Sequence, residues 1–590
     1  MRVHLREWMR YATLPALVVA LPAMAGAQPA ETRSDQTYDY ADTRALVALV
    51  DEAAGLLRAG GETALAEFAV TGSRWRRGEE YVFVLDPDGN MLVHPDPSLR
   101  GKNQLGLKDI NGRPIIRGLL DAALATPAKP QGWYHYQWPV PGEFQPRWKS
   151  SYVRQVTTPS GKRYVVGAGT YNDRMERAFA VDAVRDAVAR IETDGAAAFP
   201  RLRDRTGPFM VKDTYVFVVD PNGVEVVNPG FPNLEGRNIL DVKDTQGKPL
   251  VRELLNVAAT SGSGWVDYMW PRPGEGVSIQ KSTYASKAKL GNSWVLVGCG
   301  VYLADAPKAP PAATGMTAPA LMVLVRDAAA ALEARGEAAF PMFRERGSKW
   351  LHDDLYMFVW TLDGKRVFHG AEPETEGDDV RGLKDILDRP YGRMLIDAAL
   401  SAPGEGWVHY MRPEPRDIFP IWKSTFVRRV TFPSGAKYAV GAGVYNMRID
   451  RALVEDLVDR AAALIAARGK DAFPLLRDKT GPFMFMDAYV FVDMPDGLEV
   501  VNAGVPAAEG MNLMGLEDVK GKKLANEYIA AALKDGRAWV DYYWYRPGSN
   551  KPTLKRAYVR AVKSGTYTYI VGSGLYVDEP GIDDSESHYR

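Results

Sequence analysis

The sequence predicts an α+β protein built from four tandem copies of one domain, each an antiparallel sheet behind a long N-terminal helix. Three observations predict it. One block recurs four times, as Tyr81-Val-Phe-Val-Leu-Asp-Pro-Asp-Gly, then from Tyr215, Tyr356 and Tyr489. Three further marks follow it in unchanging order. They are a Trp (Trp133, Trp265, Trp407, Trp539), a Lys (Lys149, Lys281, Lys423, Lys555), and Gly-x-Gly-x-Tyr ending at Tyr171, Tyr302, Tyr445 and Tyr576. Between these marks the hydrophobic period switches from helical to alternating.

Each element of copy one can be justified in turn. Leu46, Val50, Ala53, Ala54 and Leu57 recur at helical spacing and predict the opening amphipathic helix. Tyr81–Leu85 and Met91–His94 flank the turn Asp86-Pro-Asp-Gly89, which predicts a hairpin. A short helix is expected around Pro114–Leu124. Three strands close the copy, at Trp133–Trp138, Lys149–Thr157 and Arg163–Tyr171. One face of such a sheet packs on the long helix. Loops and the short helix bound the other and enclose a pocket.

The copies alternate in type. The lysines are 132, 142 and 132 residues apart, so the longer period is 274. Copies one and three carry Gly72-Ser-Arg-Trp75 and Gly347-Ser-Lys-Trp350. Copies two and four carry Thr206-Gly-Pro-Phe-Met210 and Thr480-Gly-Pro-Phe-Met484. A two-domain unit was duplicated whole. The expected domains are 41–172, 173–303, 320–446 and 447–578. Helical joints run through Ala178, Val181, Val184 and Val188, and through Leu453, Leu457 and Leu464. Ala304–Pro319 reads as a Pro/Ala-rich spacer, giving two rigid pairs on a softer joint. Residues 579–590 form a polar tail.

Composition narrows the function. The 590 residues are 46% hydrophobic and 25% charged, with 73 basic and 73 acidic groups. That is a globular composition without the basic excess of a nucleic-acid binder. One cysteine, Cys299, excludes a disulfide scaffold or a thiolate metal cluster and reads as a buried, inert thiol. Arg2, Arg6 and Arg10, an apolar run from Leu14 to Met24, and Ala25-Gly-Ala27 read as a secretory signal peptide, residues 1–27. The expected mature chain carries a net −2, has no membrane span, and is periplasmic or secreted.

The ordered set also carries a resemblance. His94-Pro95, Gly101-Lys-Asn103, Lys108-Asp109, Gly132-Trp133-x-x-Tyr136, Lys149-Ser-Ser-Tyr152 and Gly167-x-Gly-x-Tyr171 together resemble the single-Cache family. These are extracytoplasmic, PAS-like sensor modules of bacterial chemoreceptors and sensor kinases. The resemblance covers nearly all of residues 40–578. It implies a five- to six-stranded antiparallel sheet, a small-ligand pocket often filled by organic acids, and a role in chemotaxis or signal transduction. Such modules usually sit between two membrane helices and drive a cytoplasmic output domain. The sequence shows neither, so a membrane receptor or sensor kinase is the expected partner.

Alternation places Tyr134, Tyr136 and Trp138 on one face, with Val266, Tyr268 and Trp270, Val408, Tyr410 and Arg412, and Val540, Tyr542 and Trp544 in the other copies. These form either a ligand wall or plain packing. Each lysine is followed three residues on by Tyr152, Tyr284, Phe426 or Tyr558. A buried ammonium needs a partner. The alternatives are a ligand carboxylate, an internal pair with Asp109, Asp244, Asp385 or Asp518, or a place on the surface. Arg412 makes copy three the most basic if both cations face inward. His94 and His369 are replaced by Asn228 and Asn502, which predicts pH-sensitive odd copies if the histidines are not simply turn residues. Leaving aside Tyr134, the three valines, Phe426 and the aspartates, these residues with Tyr81, Tyr215, Tyr356 and Tyr489 make up the expected ligand-binding set. The terminal glycines bare a strand face for close packing or for a ligand. They end the last strand and do not open a helix, so no dinucleotide site is expected. No metal, cofactor or catalytic set is expected. The expected function is small-acid or amino-acid sensing. The alternative is a structural or interaction protein of degenerate modules.

Overall fold

The computed structural model describes residues 38–124, 130–140, 143–171, 174–303, 315–415 and 417–577. The expected signal peptide, the polar tail and most of the Pro/Ala-rich spacer lie outside these residues.

In copy one the opening helix is Ala41–Gly60, and the strands are Glu80–Leu85, Met91–Val93, Gln131–Trp138, Arg147–Thr157 and Arg163–Tyr171. Counted in chain order, they lie in the sheet as 2-1-5-4-3, all antiparallel. A two-residue strand, Arg76–Arg77, adds a sixth at the edge. The short helix is Ile115–Leu124. The same order recurs in the other three copies. Each long helix stops at a glycine with positive φ, at Gly61, Gly195, Gly336 and Gly469. Only glycine adopts that backbone without strain.

Each sheet is buried on both faces. In copy one Leu46, Val50, Ala53 and Leu57 pack on Val82, Tyr152, Val156, Val166 and Ala168. On the opposite face Ile115, Leu119 and Leu120 pack on Tyr81, Phe83, Tyr134, Tyr136 and Val153. Parity of the strand decides which residue goes where.

The helical joints form as expected, at Arg177–Asp194 and Arg451–Arg468, and each is also the long helix of the next copy. Glu176, at the start of the first, accepts the backbone N–H of Asp39 and Tyr40, and so caps the helix of copy one. Asp450 does the same for Ala318. The third long helix begins at Ala318, so the last two residues of the expected spacer are helical.

The alternation of types has a structural cause. Arg113 of copy one donates to the carbonyls of Gly207 and Met210 in copy two, at 2.7 and 2.8 Å. Arg389 of copy three donates to Lys479 and Gly481 of copy four, at 2.8 Å each. The Thr-Gly-Pro-Phe-Met segment of the even copies is therefore a receptor for an arginine of the odd copies.

The two pairs are also joined to each other. Gln145 of copy one binds Asn550 of copy four, and Asn233 of copy two binds the carbonyl of Ile418 in copy three. The described residues, between 38 and 577, fall within one compact unit. This replaces the expectation of two pairs moving about a soft joint.

Candidate functional site

The site begins with register. Lys149 pairs with Tyr136 on one side and Tyr171 on the other. Lys281, Lys423 and Lys555 pair in the same way with Tyr268 and Tyr302, Tyr410 and Tyr445, and Tyr542 and Tyr576. A Tyr–Lys–Tyr row thus crosses three strands on the face away from the long helix. The glycines make room for it. A Cβ on Gly169 would lie 2.5 Å from Lys149 Cε, and one on Gly300 or Gly443 would lie 2.6 Å from Lys281 or Lys423. Close packing is the role these glycines fill. Cys299 faces the helix side, buried, with its thiol pushed up to about 12 by burial.

All four lysines are buried, at 0–1% exposure. That excludes the surface alternative. The internal ion pair is also excluded, because the four aspartates serve the backbone. Asp109 accepts from Asn111, Arg113 and Gln137 N–H, and so pins the turn before the short helix to the third strand. Asp244, Asp385 and Asp518 repeat this.

The ammonium groups instead face aromatic rings. Lys149 Nζ lies 3.8 Å from the centroid of Tyr81 and 4.8 Å from that of Tyr171. Lys423 lies 3.8 and 4.2 Å from Tyr356 and Tyr445. Lys555 lies 4.1 Å from Tyr489. Among the described residues, Nζ of Lys149, Lys423 and Lys555 has no hydrogen-bond partner, and Lys281 donates to the Tyr215 hydroxyl at 3.0 Å. Cation–π contact offsets only part of the desolvation cost. Burial accordingly depresses the lysines, to about 7 for Lys149, Lys281 and Lys555, and Lys423 in the same direction.

Most of the expected residues converge here. Tyr81, His94 and Tyr136 lie beside Lys149 in copy one, and Trp138 stands edge-on to His94 and Tyr136. Tyr136 shares a hydrogen bond with Ser151. Tyr215, Asn228, Tyr268 and Trp270 line a cavity of about 20 Å³ in copy two, together with Glu225 and Leu254. That is the room of roughly one water molecule. Tyr356, His369, Tyr410 and Arg412 gather about Lys423, and Tyr489, Asn502, Tyr542 and Trp544 lie on the pocket side in copy four.

Tyr152, Tyr284 and Tyr558 do not join them. They pack under the long helices, because a residue three positions from the lysine points to the opposite face of the strand.

The histidines take the second of their two readings, as turn residues. His94 Nδ1 accepts the backbone N–H of Asp96, and His369 Nδ1 that of Glu372. Asn228 and Asn502 use Oδ1 in the same way toward Phe231 and Val505. The exchange preserves one turn acceptor. Burial, aided by nearby cations, holds His94 down at about 4 and His369 at about 2, so neither titrates near neutrality.

Several acidic residues beside the pockets were not singled out in the sequence. Arg412 is paired with Glu372 at 2.6 Å, so the second cation of copy three is compensated. In the even copies the second hairpin strand opens with buried Glu225 and Glu499, where copies one and three have Met91 and Arg366. Burial pushes Glu225 up to about 8, and Asp493 likewise. Oε2 of Glu499 and Oδ1 of Asp493 are unpaired among the described residues. Only sheet order brings these acids near the lysine, which is why strand patterning alone missed them. The partner tyrosines Tyr171, Tyr302, Tyr445 and Tyr576 were visible as a motif, but their register with the lysine was not.

Comparison with known proteins agrees with this architecture. The family described as "Cache domain" matches residues 63–195, 348–450 and 468–581, and "Single Cache domain 2" matches 172–312. Sensor histidine kinase MctS of Rhizobium johnstonii is 36% identical over 94 residues, 16% of this chain and 20% of that protein. Methyl-accepting chemotaxis protein McpP of Pseudomonas putida is 28% identical over 93 residues, 16% of this chain and 17% of that protein. The chain thus spans about a fifth of the length of the curated relatives it matches. A solved Cache chemosensory domain, described for its carboxylic acid recognition, is 24% identical over 21% of this chain and 91% of its own, with a TM-score of 0.18. With matches over more than half its length, the chain belongs to the Cache family of sensor domains.

Proposed function

We propose that the protein is an extracytoplasmic sensor that binds small carboxylates or amino acids beside its buried lysines and passes occupancy to a membrane receptor or sensor kinase. The observation that carries this reading is Lys149. Its ammonium is wholly buried, with rings around it and no hydrogen-bond acceptor among the described residues. A ligand carboxylate supplies the missing charge, while Tyr136 and Trp138 enclose its carbon skeleton. The binding step is charge pairing in a site shielded from water, accompanied by movement of the loops over the sheet. Among the described residues no helix is long and apolar enough to cross a membrane.

A thermal-shift screen of small carboxylates and amino acids tests this. A ligand at 100 times its Kd should stabilise the fold by roughly 2.7 kcal/mol. Lys149→Met, which keeps volume and removes charge, should leave the unliganded fold as stable or more so and abolish the response of copy one. A full response in that variant, and in the same change at the other three lysines, contradicts the reading.

Glu225, Asp493 and Glu499 favour a second reading for copies two and four. There the pocket supplies acidic groups of its own near the lysine, and those modules are structural partners of copies one and three.

A further inference from the structure

The contacts between the two pairs repeat across the 274-residue period and fall at one place on each even module. Phe144 of copy one stands edge-on to Trp544 of copy four, at 5.2 Å between centroids, and stacks on Tyr545 at 5.4 Å. Phe419 of copy three stands edge-on to Trp270 of copy two, at 4.7 Å, and meets Phe231 at 6.0 Å. Trp270 lines the cavity of copy two, and Trp544 is its counterpart in copy four.

Polar contacts anchor both insertions. Gln145 donates its backbone N–H to Asn550 Oδ1 at 2.9 Å and its amide to the carbonyls of Arg546 and Ser549. Asn550 returns a bond to Glu143 at 2.7 Å. Asn233 donates to the carbonyl of Ile418 at 2.9 Å.

Relative to the following Pro146 and Pro420, the two phenylalanines are offset by one residue. The offset changes the backbone position but keeps an aromatic ring on the same tryptophan. Both insertions run directly into the strand that carries their own module's lysine. Phe144 precedes Lys149 by five residues, and Phe419 precedes Lys423 by four.

We propose that the pockets of the even modules are composite. Phe419 of copy three closes that of copy two, and Phe144 of copy one closes that of copy four, so the sites work as two crossed pairs. The cavity of copy two has room for about one water molecule, and Phe419 packs from outside on Trp270 in its wall, so a larger guest needs that packing to shift. The ring selects by size, and its movement is transmitted to the lysine strand of the odd module. By reciprocity, occupancy of the odd pocket alters access to the even one. This rests on the reading of the pockets as ligand sites, but its test needs no ligand.

The test is reductive methylation of the full chain by formaldehyde and a borane at pH 7.5, with each lysine followed by peptide mass spectrometry. A lysine depressed to about 7 is a reactive amine once reagent reaches it. Phe419→Ala should raise the rate at Lys281 several-fold and leave Lys149 and Lys555 unchanged. Phe144→Ala should do the same at Lys555 and spare Lys281. Phe419→Leu, a gentler change, should move Lys281 in the same direction by less, and it serves if the alanine variant folds poorly. An unchanged rate at Lys281, or an equal rise at all four lysines, overturns the proposal. A failed ligand screen together with selective labelling would remove the sensor reading and leave the closure standing.

Discussion

Lys149, Lys281, Lys423 and Lys555 make stability rise with pH, while buried Glu225, Asp493 and Glu499, raised by burial, act in the opposite sense. Each depressed lysine is neutral in the folded chain, and still charged in the unfolded one, between its folded value and the ordinary 10.5. For Lys149 that window opens at about 7. Across it the unfolded state binds the extra proton, so stability rises with pH. The limit is roughly 5 kcal/mol for one lysine. Lys149→Met should therefore stabilise the protein most below pH 7 and progressively less toward pH 10, as read by denaturant unfolding at several pH values. Equal effects at pH 6.5 and pH 9.5 would contradict the burial argument. Carboxylate binding runs the other way. It needs the charged lysine, so affinity for copy one should be flat below pH 7 and fall about tenfold per pH unit above it, until the pKa of the liganded lysine is reached. The histidines, which the sequence offered either as pH-sensitive groups or as turn residues, contribute nothing near neutrality, because burial keeps them neutral.

At the scale of elements, strand parity and glycine placement make the pocket. Gly169→Ala would drive a methyl group against Lys149 Cε and Ser151 Oγ, so it should cost about 1–3 kcal/mol and weaken ligand response in copy one. Gly55→Ala, inside the helix Ala41–Gly60 and with nothing within 4 Å of the new Cβ, should stabilise by about 0.5–1 kcal/mol. Melting of the two variants side by side separates crowding from backbone entropy. Helix periodicity and the Asp-Pro-Asp-Gly turn were readable because they are local. Tyr152 was misplaced although its parity was legible in the sequence. Glu225 and Glu499 could not be read at all, because their approach to the lysine depends on sheet order. Asp109 read as an ion-pair candidate, and its bonds to backbone N–H show that turn chemistry claimed it instead.

For the whole molecule, the 274-residue period records two kinds of joint. Arg113 and Arg389 tie each odd module to the even module that follows it. Phe144 and Phe419 tie it to the even module of the other pair. The alternating motifs showed that modules come in two types, but not that the types meet twice. Arg389→Ala leaves the carbonyls of Lys479 and Gly481 without their donor, and should cost about 1–3 kcal/mol. Calorimetry should then show the single transition expected of one compact body broadening or splitting. An unchanged, single sharp transition would mean that the arginine joint does not couple the modules.

The central claim is that a buried, largely uncompensated lysine receives an anionic guest, and proton uptake reports on it most directly. Titration calorimetry at pH 8 with the best small carboxylate from the thermal-shift screen, repeated in phosphate and in Tris, yields the protons bound per ligand. The account predicts an uptake approaching one proton for each ligand bound in copy one, lost in Lys149→Met. Binding that takes up no proton, or that survives unchanged in the variant, would contradict it.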